Sequence, residues 1–410
     1  MRRTRIAVLL AAGLLAGCSS PASASGRQLT PINPTDFHHG AADPSSGADG
    51  RVSVTTIAKH LDIPWGLSFL PGGDALVTER STLRILRVTP EGRVTPLARI
   101  GESTADNEGG LLGIAVSPNY KTDQTVYIYY TTKTDNRIAS LRLDGRSRPH
   151  PIVTGIPRGG IHDGGRLAFG PDGYLYASTG EASRTEAAQN IGVLGGKILR
   201  MTTDGKPPPG NPFPHSLVWS YGHRNPEGMA WDAAGNMYVS EIGQAVWDEL
   251  NIIRPGGDYG WPDVEGIGGK SKYIDPVVAW HPEVGVASGV AVTGSVAVVT
   301  CLRGQRIYLV PLGKSSIPKD VASASPGPGA TVGALSAGPA GATDSVRWRP
   351  GAGVAGPPVE ALASKYGRLR AALTAPDGSV WVTTSNQDGR LPGGPAPDDD
   401  RILRLTLRTD

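Results

Sequence analysis

Cysteine is almost missing from this chain, which has only Cys18 and Cys301. The first sits at the end of a leader, so the remaining chain has no internal disulfide and must be held by packing, with or without a metal. A basic excess is missing too. The formal net charge is +3 and no run of lysines and arginines follows the first five residues, which argues against a nucleic-acid partner. Beyond the leader no segment keeps a helical period. There is no Cys-x-x-Cys-His motif either, so nothing marks an attached c-type haem.

The leader itself is legible. Arg2, Arg3 and Arg5 precede an apolar run over residues 6–15, too short to span a bilayer. Leu15-Ala16-Gly17-Cys18 then has the form of a bacterial lipobox, in which Cys18 carries lipid and becomes the new N-terminus. A plain secretory signal cleaved near Ala24 is the alternative, and Arg2-Arg3 is a weak sign of twin-arginine export. The expectation is an exported protein, lipid-anchored on the outer face of the membrane or periplasmic. Residues 19–50, rich in Ser, Pro, Ala, Gly and Asp, read as a flexible tether, and His38-His39 within it as a solvated pair.

What is abundant is turn-forming residues: Gly 56 and Pro 35 in 410 residues imply many short strands. From residue 51 a hairpin unit recurs six times, as an apolar-small-apolar strand, a Pro/Asp/Gly turn and a second β-rich run. The copies begin near Gly66, Gly113, Arg166, Gly228, Gly289 and Ala371, with turns such as Pro171-Asp172-Gly173 and Pro376-Asp377-Gly378. One hairpin cannot bury both faces, whereas radially arranged four-stranded blades can. The expected fold is all-β, a six-bladed β-propeller over residues 51–408. Residues 311–345, mostly Ala, Gly, Ser and Pro, read as a poorly ordered insertion between blades. Cys301, within an apolar run, reads as a buried small hydrophobe.

Three segments carry chemistry. Gly222-His223-Arg224-Asn225-Pro226-Glu227-Gly228 sets an arginine and an asparagine in a turn, a donor cluster suited to an oxygen-rich anion. Arg368 and Arg370, two apart in an extended segment, point the same way and can clamp one ligand edge. His162 lies in the glycine loop Gly159-Gly160-Ile161-His162-Asp163-Gly164-Gly165, where a ligand can approach the backbone closely. Asp163 either orients the ring or caps a turn, and His223 is given no catalytic role.

These segments resemble the soluble quinoprotein sugar dehydrogenases, the family of glucose and aldose sugar dehydrogenases that use pyrroloquinoline quinone (PQQ) and calcium. The resemblance runs over roughly residues 51–408. It implies His162 as general base, and Arg224, Asn225, Arg368 and Arg370 as cofactor ligands. It implies the backbone carbonyls of Gly243 and Gln244, in Ser240-Glu241-Ile242-Gly243-Gln244, as ligands of the active-site calcium. Glu249 and Tyr259 match positions bound to a further calcium. The chain departs from the family twice. Glu108 stands where a cofactor-facing glutamine is expected, and a carboxylate there is unfavourable unless it is protonated or turned toward a cation. Leu302 stands where a lysine is expected, with Arg303 adjacent.

The implied activity is oxidation of the C1 hydroxyl of aldose sugars to lactones, with an unidentified electron acceptor. Two alternatives stay open from the residues. One is a calcium-dependent lactonase-like hydrolase built on Glu79, Glu108, Glu181 and Glu241. The other is a non-enzymatic propeller lipoprotein that has lost the cofactor.

Overall fold

The computed structural model describes residues 50–268, 270–313 and 345–408, together with the strand backbone at 44–46 and 341–342. Cys18, His38 and His39, most of the tether and most of the insertion lie outside the described residues. Six antiparallel sheets make the six blades of a β-propeller. Blade one is Pro64–Phe69, Ala75–Glu79, Arg84–Val88 and Val94–Arg99, from inner to outer strand. Blade two is Leu111–Val116, Thr125–Thr131, Asn136–Arg142 and His150–Ile156; blade three is Leu167–Phe169, Leu175–Thr179, Lys197–Met201 and Val218–Tyr221. Blade four comprises Pro226–Trp231, Met237–Glu241, Asp248–Ile253 and Val278–Trp280. Blade five comprises Ala287–Thr293, Val296–Cys301, Arg306–Pro311 and Val359–Ala361. Blade six takes Leu369–Thr374, Val380–Thr384 and Ile402–Leu407 from the end of the chain and Val52–Ala58 from its start. That last pairing, Val52 opposite Leu407, closes the ring.

Each of the six recurring hairpins in the sequence supplies the inner two strands of one blade. The segment after Pro311 falls inside blade five, between its third and fourth strands, and not between blades. Its far end, Val346–Trp348, adds to the outer edge of blade four opposite Val278–Trp280 before the chain returns to blade five.

Strand alternation builds the core as wedges between neighbouring blades. Leu76 packs toward blade two with Ile85, Leu111 and Ile128, while its neighbour Val77 packs toward blade six with Ala371 and Trp381. In blade four Tyr238 faces blade five beside Trp280 and Tyr308, and Val239 faces blade three beside Ile198. Second strands are therefore apolar on both faces, and Cys301 is buried as expected for a small hydrophobe.

The blades meet most closely at their inner strands, through one device used repeatedly. A hydroxyl on the second strand accepts from its own inner strand and donates to a carbonyl of the next. Thr78 accepts from Gly66 N–H at 2.8 Å and donates to Leu112 O of blade two at 2.5 Å. Thr300 accepts from Gly289 N–H at 2.8 Å and donates to Arg370 O of blade six at 2.5 Å. Ser240 donates to Ser288 O of blade five at 2.5 Å. Glycine at the start of the inner strand is what permits this approach: a Cβ on Gly66 would lie 2.5 Å from Leu112 O, and one on Gly289 would lie 2.5 Å from Arg370 O.

Thr300→Val keeps the shape and removes the hydroxyl, leaving the Gly289 N–H and the Arg370 carbonyl buried without this partner. The expected cost is about 2–4 kcal/mol, read as a melting temperature several degrees lower in a thermal scan. An unchanged melting temperature would show that the hydroxyl does not join blades five and six.

Candidate active site

The inner-strand ends and the loops above them surround a cavity with about 820 Å³ of free space, open to solvent. It is lined by Arg80, Glu108, His162, Asp163, Arg224, Asn225, Gly243, Gln244, Leu302, Arg303, Arg368, Arg370 and Arg390, among others. The structure thus brings together His162, Arg224, Asn225, Arg368, Arg370, Glu108, Gly243 and Gln244, which the sequence places far apart. Glu249 and Tyr259 are elsewhere. They line a small adjoining cavity with Glu241, Glu265 and Arg224.

His162 is 9% exposed and has a positive φ of 64°. Its ring Nδ1 is paired with Glu181 Oε1. Its backbone N–H donates to Glu108 Oε2 at 2.8 Å, and its carbonyl accepts from Ala182 N–H at 3.0 Å. With Nδ1 taken, Nε2 is left for the cavity. The side chain that orients the ring is therefore Glu181, not Asp163. Asp163 Oδ1 instead accepts from Gly159 N–H at 3.0 Å and Asn136 Nδ2 at 2.8 Å, closing the glycine loop. Burial raises its pKa.

Glu181 opens a loop that Lys197 holds from beneath. The Lys197 ammonium is fully buried and donates to three carbonyls, of Ala187 at 2.7 Å, Ala188 at 3.0 Å and Gly195 at 2.6 Å. The same loop reaches the arginine turn: Glu181 N–H donates to Arg224 O at 2.9 Å, and Gly222 N–H to Ala188 O at 2.9 Å. His162, Glu181 and Arg224 are consequently set by one hydrogen-bonded unit.

Arg224 is 9% exposed, and its Nη1 donates to Gly243 O at 2.6 Å and Ile242 O at 3.1 Å, while its buried Nε has no partner. Burial lowers its pKa against the pull of Glu181 and other nearby carboxylates. Asn225 Oδ1 accepts from Gly164 N–H at 3.0 Å, tying this turn to the histidine loop. Arg368 and Arg370 share Asp388, at 3.0 and 3.6 Å, and Arg370 also donates to Glu227 at 3.1 Å.

Both departures from the family have a structural account. Burial alone would raise the Glu108 pKa, but the bond from Arg390 at 2.6 Å and the His162 N–H hold it below the usual range. The carboxylate is thus turned toward a cation. Leu302 and Arg303 lie in the turn beyond Val296–Cys301, so alternation of strand faces does not separate them, and both line the cavity.

The loop carrying Gly243 and Gln244 is held by Glu265 Oε1, which accepts from Gln244 N–H at 2.5 Å and Ala245 N–H at 3.2 Å. Glu249 accepts from Gly266 N–H at 2.7 Å and Asn251 at 3.0 Å; burial, and then the Glu241 charge, push its pKa up to about 8. Tyr259 donates its hydroxyl to Ile252 O at 2.7 Å and stacks on His223. Burial raises Asp248 to about 6, with its oxygens accepting from Gly243 and Val286 N–H groups.

The four acids of the hydrolase alternative do not converge. Glu79 is bonded to Arg84 and Thr82, Glu108 to Arg390, Glu181 to His162, and Glu241 to His223. Among the described residues no three His, Cys, Asp or Glu side chains gather as a metal site. Sequence reading missed Glu181 as the histidine's partner, and also Arg80, Glu227, Asp388 and Arg390. The repeat supplies part of the signal, since Glu79 and Glu241 end a second strand and Arg80 and Glu181 follow one.

Fold and cavity together define a propeller with a ligand site at its mouth, lined by arginines and one histidine–carboxylate pair. Residues 61–319, more than half of the chain, match the glucose/sorbosone dehydrogenase family, and the chain belongs to it. The chain is 32% identical over 282 residues to quinoprotein glucose dehydrogenase B of Acinetobacter calcoaceticus, covering 59% of this chain and 58% of that one. It is 32% identical over 233 residues to the aldose sugar dehydrogenase YliI of Escherichia coli, covering 52% and 63% of the two chains. It thus spans about three fifths of the length of these curated relatives. Among solved structures, the PQQ-bound aldose sugar dehydrogenase of Streptomyces coelicolor is 42% identical with a TM-score of 0.75, over 89% of this chain and all of that one.

Lys197→Met removes three donors and leaves three carbonyls buried, at an expected cost of about 3 kcal/mol or more. It should lower the melting temperature and speed hydrogen exchange across residues 181–196. The exposed Lys206→Met should do neither. Exchange unchanged at 181–196 would mean that Lys197 does not hold the loop.

Proposed function

We propose that the protein oxidises the C1 hydroxyl of aldose sugars to lactones, using PQQ and calcium held at the mouth of the propeller. The observation that carries this reading is the His162–Glu181 pair facing a cavity of arginines, in a chain that belongs to a sugar dehydrogenase family.

The residues fit the cofactor. A flat polyanion needs fixed donors, and the cavity supplies them from Arg224, Asn225, Arg368 and Arg370. Arg224 Nε is buried and without a partner, a donor in want of an acceptor. The fit to a hard cation is partial, because the Gly243 carbonyl already accepts from Arg224 Nη1 and a bound calcium would share it. The Gly243 and Gln244 loop is clamped by Glu265 and opens on the cavity, and Glu249 keeps a buried carboxylate beside Glu241 and Tyr259 in the adjoining one. Held there, PQQ would supply the hydride acceptor and calcium a Lewis acid.

The chain's own contribution is the proton and the geometry. His162 Nε2 takes the proton of the C1 hydroxyl as the C1–H bond breaks, so the sugar loses one proton and one hydride and leaves as the lactone. Glu181 fixes the Nδ1–H tautomer and stabilises the imidazolium that forms. Glu108, through the His162 N–H, keeps the left-handed backbone in place. The arginines, held by Asp388, Glu227 and the Ile242 and Gly243 carbonyls, meet the anionic ligand without reorganising. Export and a lipid anchor at Cys18 belong to the same proposal and rest on the leader pattern alone.

His162→Gln should keep PQQ bound and lose roughly 10²–10⁴-fold in turnover, the range of a lost general base. Arg224→Ala should weaken PQQ binding first. Titrating both variants and the wild type with PQQ and calcium, then assaying glucose oxidation, separates the two roles. Undiminished turnover in His162→Gln would remove it as the base, and a wild type that binds no PQQ would leave the non-enzymatic alternative standing.

Calcium should raise the melting temperature of the wild type by mass action, and chelator should reverse it. The response should be much smaller in Glu249→Ala. Equal chelator sensitivity in the two proteins would take Glu249 out of the cation site.

A further inference from the structure

Arg80 follows the second strand of blade one and lines the cavity, yet it has no part in the family resemblance. It is 8% exposed, and among the described residues no hydrogen bond or ion pair reaches its guanidinium. Its setting is specific. Gly110 packs on its stem, and a Cβ there would lie 2.8 Å from Arg80 Cγ. Burial and then the Arg370 charge lower its pKa to about 10, which leaves it charged at neutral pH.

The neighbouring charges are not all paired. Arg80, Arg368, Arg370 and Arg390 are faced by Asp388, Glu227 and Glu108, with Asp62 also within reach of the Arg80 charge. Asp388, Glu227 and Glu108 are each bonded to one of the other arginines, and the two further buried arginines nearby, Arg166 and Arg224, donate to backbone carbonyls, so among the described residues Arg80 is the one of these cations without an acceptor. A buried charge without a counter-ion is costly. A protein keeps one at a cavity wall when an anion arriving from solution completes it.

We propose that Arg80 is a carboxylate-binding residue of this cavity, its planar fork gripping both oxygens of a carboxylate on either the cofactor or an acidic sugar. This rests on the dehydrogenase reading above, which supplies those two sources. A guanidinium suits the role because its paired N–H groups match the spacing of carboxylate oxygens. Its proximity to Glu108, which holds the His162 backbone, sets the bound carboxylate on the rim that carries the base.

The test uses Arg80→Met, which keeps the apolar stem, beside Arg80→Lys. Without ligand, Arg80→Met should melt at the same temperature as wild type or higher, because an unmatched buried charge is gone. A clear fall would make Arg80 a structural cation and overturn the proposal. If the carboxylate is the cofactor's, the Kd for PQQ rises at least tenfold in Arg80→Met and less in Arg80→Lys, with the KM for glucose at saturating PQQ unchanged. If it is the sugar's, PQQ affinity holds while glucuronate, as substrate or as competitor of glucose, loses at least tenfold relative to glucose. No change in either arm overturns the proposal. A wild type that binds no PQQ defeats the dehydrogenase reading separately. Acetate, with no added calcium, then serves as a plain carboxylate probe: it should raise the melting temperature of wild type but not of Arg80→Met, and equal shifts overturn the assignment.

Discussion

The close approach of neighbouring inner strands is the constraint on which the rest of the molecule depends. A hydroxyl reaching from one blade to the carbonyl of the next, as at Thr78, Ser240 and Thr300, replaces the ladder bonds that separate sheets cannot share. It works only where glycine leaves the gap clear. The inner strands carry the loops that form the cavity, so the spacing of the blades is also the spacing of the site. Arg370 shows the link directly. Its carbonyl is the acceptor for Thr300, and its guanidinium, one bond network away, reaches Glu227 and Asp388.

Above that ring the site is stabilised by charge used internally. Lys197 is a buried amine that donates to three loop carbonyls, and burial pulls its pKa down to about 7. Glu265 does the converse, gathering the N–H groups of Gln244 and its neighbours around one carboxylate oxygen. Without disulfides, the loops are shaped by side-chain ions that sit where their own backbone would otherwise be unsatisfied. The left-handed conformation of His162 persists in this setting because its N–H, its carbonyl and its ring are each bonded to a different partner.

The fold was legible because the propeller repeats its chemistry: turn residues and apolar strands recur in each blade, and the repeat needs no knowledge of distant contacts. The site was legible only in part. His162, Arg224, Asn225, Arg368 and Arg370 stand in short motifs with a local logic of glycines or alternation. Their partners do not. Glu108 and Arg390 meet across 282 positions of sequence, and Arg370 and Glu227 across 143. Nothing near Glu108 announces a cation, so a carboxylate facing a polyanion looked like a defect until Arg390 was found beside it. Asp163, adjacent to the histidine in sequence, was the natural candidate to orient it. The turn directs it to Asn136 and Gly159, and Glu181 arrives from across the loop.

The electrostatics of the cavity argue for a ligand that is strongly anionic and rigid. Arg368, Arg370 and Arg390 are each paired with a carboxylate, which fixes their planes and reduces the field they would otherwise present. A cavity meant only for a neutral sugar would gain nothing from leaving the Arg80 guanidinium without an acceptor on its wall, since sugar hydroxyls compensate a full charge poorly. Pairing most of the arginines and leaving Arg80 open gives a site that is rigid before the ligand arrives and still short of negative charge. The cations of this cavity stand on both sides of its mouth, Arg80, Arg368, Arg370 and Arg390 from blades one and six and Arg224 from the turn before blade four. An anion entering it would therefore be met from both sides of the mouth on which His162 opens.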